Sequence, residues 1–163
     1  MSGAVTGATM AYVRQALAAV GASLPEPGNP VASYRTAVRA GDVVFTAGHL
    51  PMADGAPFLF GVVGDDHVTV ADAAAAAGQA TLALVASAFA TVTEADRLRC
   101  VKVTVFVAVA PGFTAIPAVA DGASAILGAA FGEVPARSAV GVAALPLGVP
   151  VEVEAIFEVV PGL

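Results

Sequence analysis

Between residues 151 and 159 the chain alternates, with Val151, Val153, Ala155, Phe157 and Val159 at one parity and Glu152, Glu154 and Glu158 at the other. Successive side chains of an extended strand point to opposite faces of a sheet, so this period of two predicts a strand with one apolar and one acidic face. The apolar face has to be covered by another layer. Three glutamates on one face usually mean solvent. A carboxylate near an arginine and partly desolvated could instead hold a water for attack on a C=N carbon.

The rest of the chain supplies the other elements. In residues 9–20, Tyr12, Val13, Ala16, Leu17 and Val20 recur at helical spacing and Gly21 is a stop signal, which predicts a short leading helix. Residues 24–30 hold three prolines with Gly28 and Asn29 and read as a linker. Residues 33–39 and 42–49 flank an Ala40-Gly41 turn and predict a β-hairpin, and residues 58–63 predict a further strand before Gly64. Thr69 is a suitable N-cap, with Asp72 three residues on, for a long helix to about Val92 whose buried face carries Leu84, Val85, Ala88, Phe89 and Val92. A strand over 98–109 ends at Pro111-Gly112 and a second long helix follows over 114–131, with Pro117 in its first turn. Strands over 136–142 and 151–159, joined by a loop at 145–150, close the chain.

The order helix, ββ(β), α, β, α, ββ lacks regular βα alternation. It predicts an α+β subunit with an antiparallel or mixed β-sheet, two helices on one face and a short N-terminal helix. The opposite sheet face would be an exposed apolar patch in a monomer, and packing of sheets between subunits is the simplest cover.

With 163 residues, 58% of them hydrophobic, one domain over 1–163 is expected, residues 1–30 forming the helix and linker and 31–160 the core. The mean hydropathy of +0.84 invites a membrane reading. The uncharged stretch 73–93 is mostly Ala with Gly78, Gln79, Thr81 and Ser87 inside it, and the stretch 103–120 is broken by Pro111, Gly112 and Pro117, so no membrane partner is expected. The first eleven residues lack a basic start and a long apolar core, and Cys100 has no second cysteine to pair with, so a reducing, cytoplasmic setting is expected. Seven basic against thirteen acidic residues, a formal net charge of -6, oppose a nucleic-acid partner.

Familiar catalytic signatures are absent: no Gly-x-Ser-x-Gly, His-Glu-x-x-His, CxxC, phosphate loop or dinucleotide fingerprint. His49 and His67 lack companions at metal-site spacing apart from the Asp65-Asp66 loop, so no metal and no cofactor are expected. Cys100, inside an apolar strand, reads as a small buried residue and not as a nucleophile. Arg137 is the one charge in the apolar segment 135–146 and needs an anionic partner. On strand chemistry alone, a cross-strand ion pair with Glu152 or Glu154 is the favoured partner over a substrate carboxylate.

The segment Pro135-Ala136-Arg137-Ser138-Ala139-Val140-Gly141-Val142-Ala143-Ala144-Leu145-Pro146, followed by Val151-Glu152-Val153-Glu154-Ala155, resembles the closing signature of the Rid (YjgF-like) family. Upstream, residues 34–38 and Val44-Phe45-Thr46-Ala47-Gly48-His49-Leu50-Pro51 are similar to its opening strands, so the likeness spans nearly everything after residue 30. The leading helix, the linker, Ala110-Pro111-Gly112-Phe113 and Asp121-Gly122-Ala123-Ser124 look most like a longer subgroup labelled YjgF/chorismate-mutase-like endoribonucleases.

The resemblance implies a chorismate-mutase-like subunit in a homotrimer with clefts between neighbours. The implied activity is cofactor-independent hydrolysis of small, carboxylate-bearing 2-imino or 2-enamino acids. It implies that Arg137 clamps the substrate carboxylate and Glu152 holds the hydrolytic water. Tyr34 would close the cleft, which Gly48 and Ser138 would line. Three positions depart from the usual pattern: Ala139 where cysteine is frequent, His49 for the common Gln, and Asp121 for Asn. An imine is already electrophilic, so loss of a cysteine need not abolish hydrolysis. The alternatives are a non-catalytic binder of small carboxylates using the same cleft, or a biosynthetic enzyme acting on an unstable imine or enamine.

Overall fold

The computed structural model describes residues 7–27, 33–65 and 67–160. In chain order the elements are helix α1 (Met10–Ala18), strands β1 (Ala37–Ala40), β2 (Val43–Thr46), β3 (Met52–Ala53) and β4 (Ala56–Pro57), helix α2 (Val70–Phe89), strand β5 (Arg97–Ala108), helix α3 (Ile116–Phe131), and strands β6 (Ala136–Val142) and β7 (Val151–Val160). Five strands form one mixed sheet in the order β1-β2-β7-β5-β6, in which only β5 and β6 run parallel. The fold is therefore mixed α+β with three helices.

The alternation in β7 is realised as read. Val151, Val153, Ala155, Phe157 and Val159 are buried, whereas Glu152, Glu154 and Glu158 are only partly covered on the other face. Helices α2 and α3 lie together over the buried face, where Phe89 of α2, Phe131 of α3 and Phe157 of β7 make a continuous aromatic cluster with ring centroids 6.4 and 5.8 Å apart. By length and composition α2 could cross a membrane, yet most of it is buried inside this core.

Both long helices have local reasons to start where they do. Thr69 accepts from the Asp72 backbone N–H at 3.1 Å while its hydroxyl donates to the Asp72 carboxylate at 2.6 Å. Helix α3 carries Pro117 in its first turn and ends on Gly132, whose φ of 73° lies in the left-handed region. Thr9 caps α1 by accepting from the Tyr12 N–H. Helix α1 buries Val13 and Leu17 and packs on α3, while Ala8 pairs with Leu98 of β5. The two long helices approach closely at Gly122, where a Cβ would overlap the carbonyl oxygen of Ala74.

Three expectations are corrected. Residues 58–63 form no strand: Asp54 and Gly55, both at positive φ, make a tight turn joining β3 to β4, and Gly61 at φ 113° breaks the extended run. Val63 keeps isolated parallel bridges to Val109 and to Asp65. The β1–β2 hairpin is shorter than the sequence suggested, because the chain leaves the sheet after Thr46 and rejoins it through a single bridge between His49 and Val153. The second long helix starts at Ile116 and not at Thr114. Of the linker read at 24–30, residues 24–27 form no regular element, and residues 28–30 lie outside the described residues, as does Asp66.

Candidate active site

Arg137 sits on the edge strand β6, in register with Val103 of β5, which in turn pairs with Ala155 of β7. Val103 and Ala155 are both buried under the helices, so Arg137 projects toward the helical layer. There α3 meets it: Arg137 Nη1 donates to Asp121 Oδ1 at 2.7 Å and to Ser124 Oγ at 3.0 Å. The ion pair is open to solvent, the side chains being 26% and 70% exposed for Arg137 and Asp121. Among the described residues nothing else bonds the guanidinium, which leaves its Nε–Nη2 edge as a two-donor fork.

This arrangement corrects the cross-strand pairing with Glu152 or Glu154. Strand β5 lies between β6 and β7, and Glu152 pairs with Phe106 and Glu154 with Thr104, on the face away from the helices. Within one subunit Arg137 and Glu152 are on opposite sides of the sheet.

Glu152 is held against the backbone of Gly48, where a Cβ would overlap its Oε1. Burial raises its pKa above the ordinary carboxylate value, and repulsion from Glu154 adds to the rise. Among the described residues no group donates a hydrogen bond to its carboxylate. Ser138 shares this face and accepts from Lys102 Nζ at 2.6 Å. Lys102, Thr104 and Glu154, with Phe45 and Ile156, line a small polar cavity of about 110 Å³.

The remaining residues named from the sequence are spread around these two groups. Ala139 follows Arg137 on the helical side, beside Val105. Tyr34 is half exposed. The His49 ring is turned inward: Nδ1 lies 2.9 Å from the Ala47 carbonyl and must carry the proton, so Nε2 accepts from Ser87 Oγ at 2.8 Å. Burial lowers the His49 pKa below 6.5. Its side chain therefore serves α2, and only its backbone borders Gly48. Asp65 is engaged with its own loop, accepting from the N–H groups of His67 and Val68. Burial pushes the Cys100 thiol up to about 12, consistent with its reading as an apolar strand residue.

Two residues escaped the sequence reading. Ser124 stands three positions after Asp121, the spacing that puts both on one helix face, and that spacing was the available signal. Lys102 is the sole lysine of the chain, and its place in the middle of a β-branched strand was the signal there.

The molecule is thus a small α+β subunit that presents an arginine fork at a sheet edge and a partly desolvated carboxylate on the reverse face, on two different surfaces. The chain belongs to the family described as Endoribonuclease L-PSP, the YjgF or Rid family, which matches residues 24–159. Protein TCP17 of Trypanosoma cruzi is 38% identical over 143 residues, covering 85% of this chain and 89% of that protein. A crystal structure of a protein of unknown function from Agrobacterium tumefaciens superposes with a TM-score of 0.81 at 32% identity, covering 92% of this chain and 94% of the other. Escherichia coli TdcF with bound serine gives a TM-score of 0.54 at 25% identity, covering 83% and 92%.

Proposed function

We propose that this protein hydrolyses small 2-imino or 2-enamino acids to 2-oxo acids and ammonia, in clefts between the subunits of a homotrimer. The observation that carries the reading is the open Nε–Nη2 edge of Arg137, whose spacing suits the two oxygens of a carboxylate. Because Glu152 faces away from Arg137 in its own chain, the water-holding carboxylate would come from a neighbour. The sheet face that bears Glu152 also exposes Val38, Phe45 and Val140, an apolar surface that subunit packing would cover.

In the reaction the substrate carboxylate docks on Arg137, and Glu152 takes a proton from water as its oxygen adds to the C=N carbon. The π pair moves to nitrogen. The resulting carbinolamine expels ammonia as the carbonyl forms, so one water is consumed and nothing is oxidised. The raised pKa of Glu152 suits a base that must also return a proton to the leaving nitrogen.

Binding without turnover is the second reading, and Ala139 favours it where relatives often carry cysteine. TdcF was crystallised with serine, which supports a small amino-acid-like ligand in the family under either reading. RNA cleavage, despite the family's description, is disfavoured by the net charge of -6. The experiment is to add the purified protein to an amino-acid oxidase that generates imines and to follow semicarbazone formation. Accelerated loss of the imine supports hydrolysis; an unchanged rate across several imino acids overturns it.

A further inference from the structure

Between Thr46 and His49 the chain arches out of the sheet and returns to it, and the arch is pinned on either side of its glycine. Thr46 ends β2 with its hydroxyl accepting from the Ala155 N–H at 2.9 Å. The Ala47 N–H donates to the Thr36 carbonyl at 2.9 Å, and His49 exchanges two backbone hydrogen bonds with Val153, at 2.8 and 3.0 Å. Gly48 has no side chain, and its Cα is the surface against which the Glu152 carboxylate rests. The link from this arch to the helical layer is made by the His49 ring. Its Nδ1–H goes to Ala47 of the arch itself, and Nε2 takes the hydroxyl proton of Ser87, a residue 2% exposed on α2. Gly48 thus meets the carboxylate on the outer side while its neighbour is tied to a helix on the inner side. The tie is a neutral one. The only charged residue of α2 is Asp72, at its opposite end; β2 carries none; and Glu152, Glu154 and Glu158 of β7 face away from the helices.

We propose that His49 is a positioning residue for Glu152: its bond to Ser87 holds the 46–49 arch in place and so fixes the backbone on which the carboxylate lies. The consequence for turnover rests on the proposed role of Glu152 as the water-holding group; the consequence for the carboxylate's surroundings does not. Without the Ser87 hydroxyl, Nε2 is a buried acceptor with no donor, a state relieved when the ring swings out or water enters, and either outcome loosens the arch. Arg137 lies at the far edge of the sheet, with β7 and β5 between its strand and β2, so within one subunit the link bears on water placement and not on the guanidinium.

The test is titration of the Glu152 carboxyl by carbon NMR in full-length protein labelled at glutamate, the signal being assigned by its loss in Glu152→Gln, together with kcat and KM for an oxidase-generated imine. Ser87→Ala is expected to bring the raised Glu152 midpoint down toward the ordinary carboxylate range as water reaches the loosened arch, and to lower kcat by about tenfold with KM little changed. Thr81→Ala is the matched control. It removes another buried hydroxyl of α2, one that bonds within its own helix at the Ala77 carbonyl, and should cost stability without moving either reading. Ser87→Cys fills the same space with a weaker donor and gives the same reading should Ser87→Ala fail to fold. An unmoved Glu152 midpoint in the Ser87 variants, or an equal shift in Thr81→Ala, overturns the proposal. A wild type without imine turnover whose midpoint still follows Ser87 would remove the hydrolytic role and leave the positioning intact; turnover with an unmoved midpoint would do the reverse.

Discussion

Arg137 and Glu152 occupy opposite faces of one sheet, separated by strand β5. The geometry follows from side-chain parity: Arg137 is in register with buried Val103, and Glu152 with Phe106 on the uncovered side. A site that uses both must draw them from two copies of the chain. Arg137→Ala and Glu152→Gln are therefore each expected to abolish turnover alone and to complement one another when mixed. After joint refolding of equal amounts, about a quarter of the clefts should contain both native residues, and activity should recover to that order. Assay of the mixture against each variant alone decides it; no recovery would place the two groups in separate functions.

Gly48→Ala is expected to damage function more than stability. The added Cβ falls on the space taken by the Glu152 carboxylate, which is the end of a flexible side chain and can swing aside. The fold should persist, but the displaced carboxylate would no longer hold water in place, reducing kcat by roughly 10- to 100-fold. Kinetics alongside a thermal melt separate the two effects.

The pH profile should carry the signature of Glu152. It must be ionised to accept a proton, and its pKa is raised by burial and then by Glu154, so kcat/KM is expected to rise with pH through a midpoint above the ordinary carboxylate range. Glu154→Gln removes the like charge and should move that midpoint to lower pH. The same shift acts on stability with a definite sign. The native state holds the Glu152 proton more tightly than the unfolded chain, so stability falls as pH rises from the unfolded to the folded pKa, and Glu152→Gln should flatten that fall.

His49 acts in the opposite sense. Its pKa is lowered by burial, so between 6.5 and the folded value the unfolded chain binds the extra proton and stability declines as pH falls. His49→Gln should weaken this acid-side loss in a series of melts from neutral to mildly acidic pH. Ser87→Ala leaves Nε2 without its donor in a buried setting and should cost about 1–3 kcal/mol at neutral pH.

The strictly alternating strand β7 and the capped start of α2 were legible because each rests on a local rule of period or end chemistry. Arg137 was legible as an isolated cation, and its partner was not. The cross-strand reading assumed that β6 and β7, consecutive in the chain, are also neighbours in the sheet, whereas β5 intervenes. Its true partners, Asp121 and Ser124, come from a helix that reaches the edge strand only once α3 has docked. His49 was legible only as a departure from a common Gln; its inward turn rests on Ser87, the lone serine on the apolar face of α2, which the sequence did not connect to it. Residues 58–63 were rich enough in apolar side chains to suggest a strand, but the backbone at Gly61 decided against it.

The seam between α2 and α3 offers a test of how the Arg137 guanidinium is positioned. Gly78 and Gly122 both lie inside helices at this seam, and helix propensity alone predicts that alanine at either would stabilise by about 0.5–1 kcal/mol. Their surroundings differ. A Cβ at Gly78 meets Ile126 at 3.4 Å, an ordinary contact, whereas a Cβ at Gly122 runs into the backbone of Ala74, which cannot rotate away. Gly78→Ala should therefore be neutral or mildly stabilising, and Gly122→Ala should cost about 1–3 kcal/mol as α3 is forced off α2. Asp121 is the residue before Gly122 and Ser124 follows one turn on the same helix, so the displacement should also loosen the hold on Arg137 Nη1. Melts of both variants, with calorimetric titration of a small 2-oxo acid such as pyruvate into each, are expected to show Gly78→Ala unchanged and Gly122→Ala less stable with weaker binding. A destabilised Gly122→Ala with its affinity intact would mean that Arg137 is positioned by β6 alone and not by the approach of the helices.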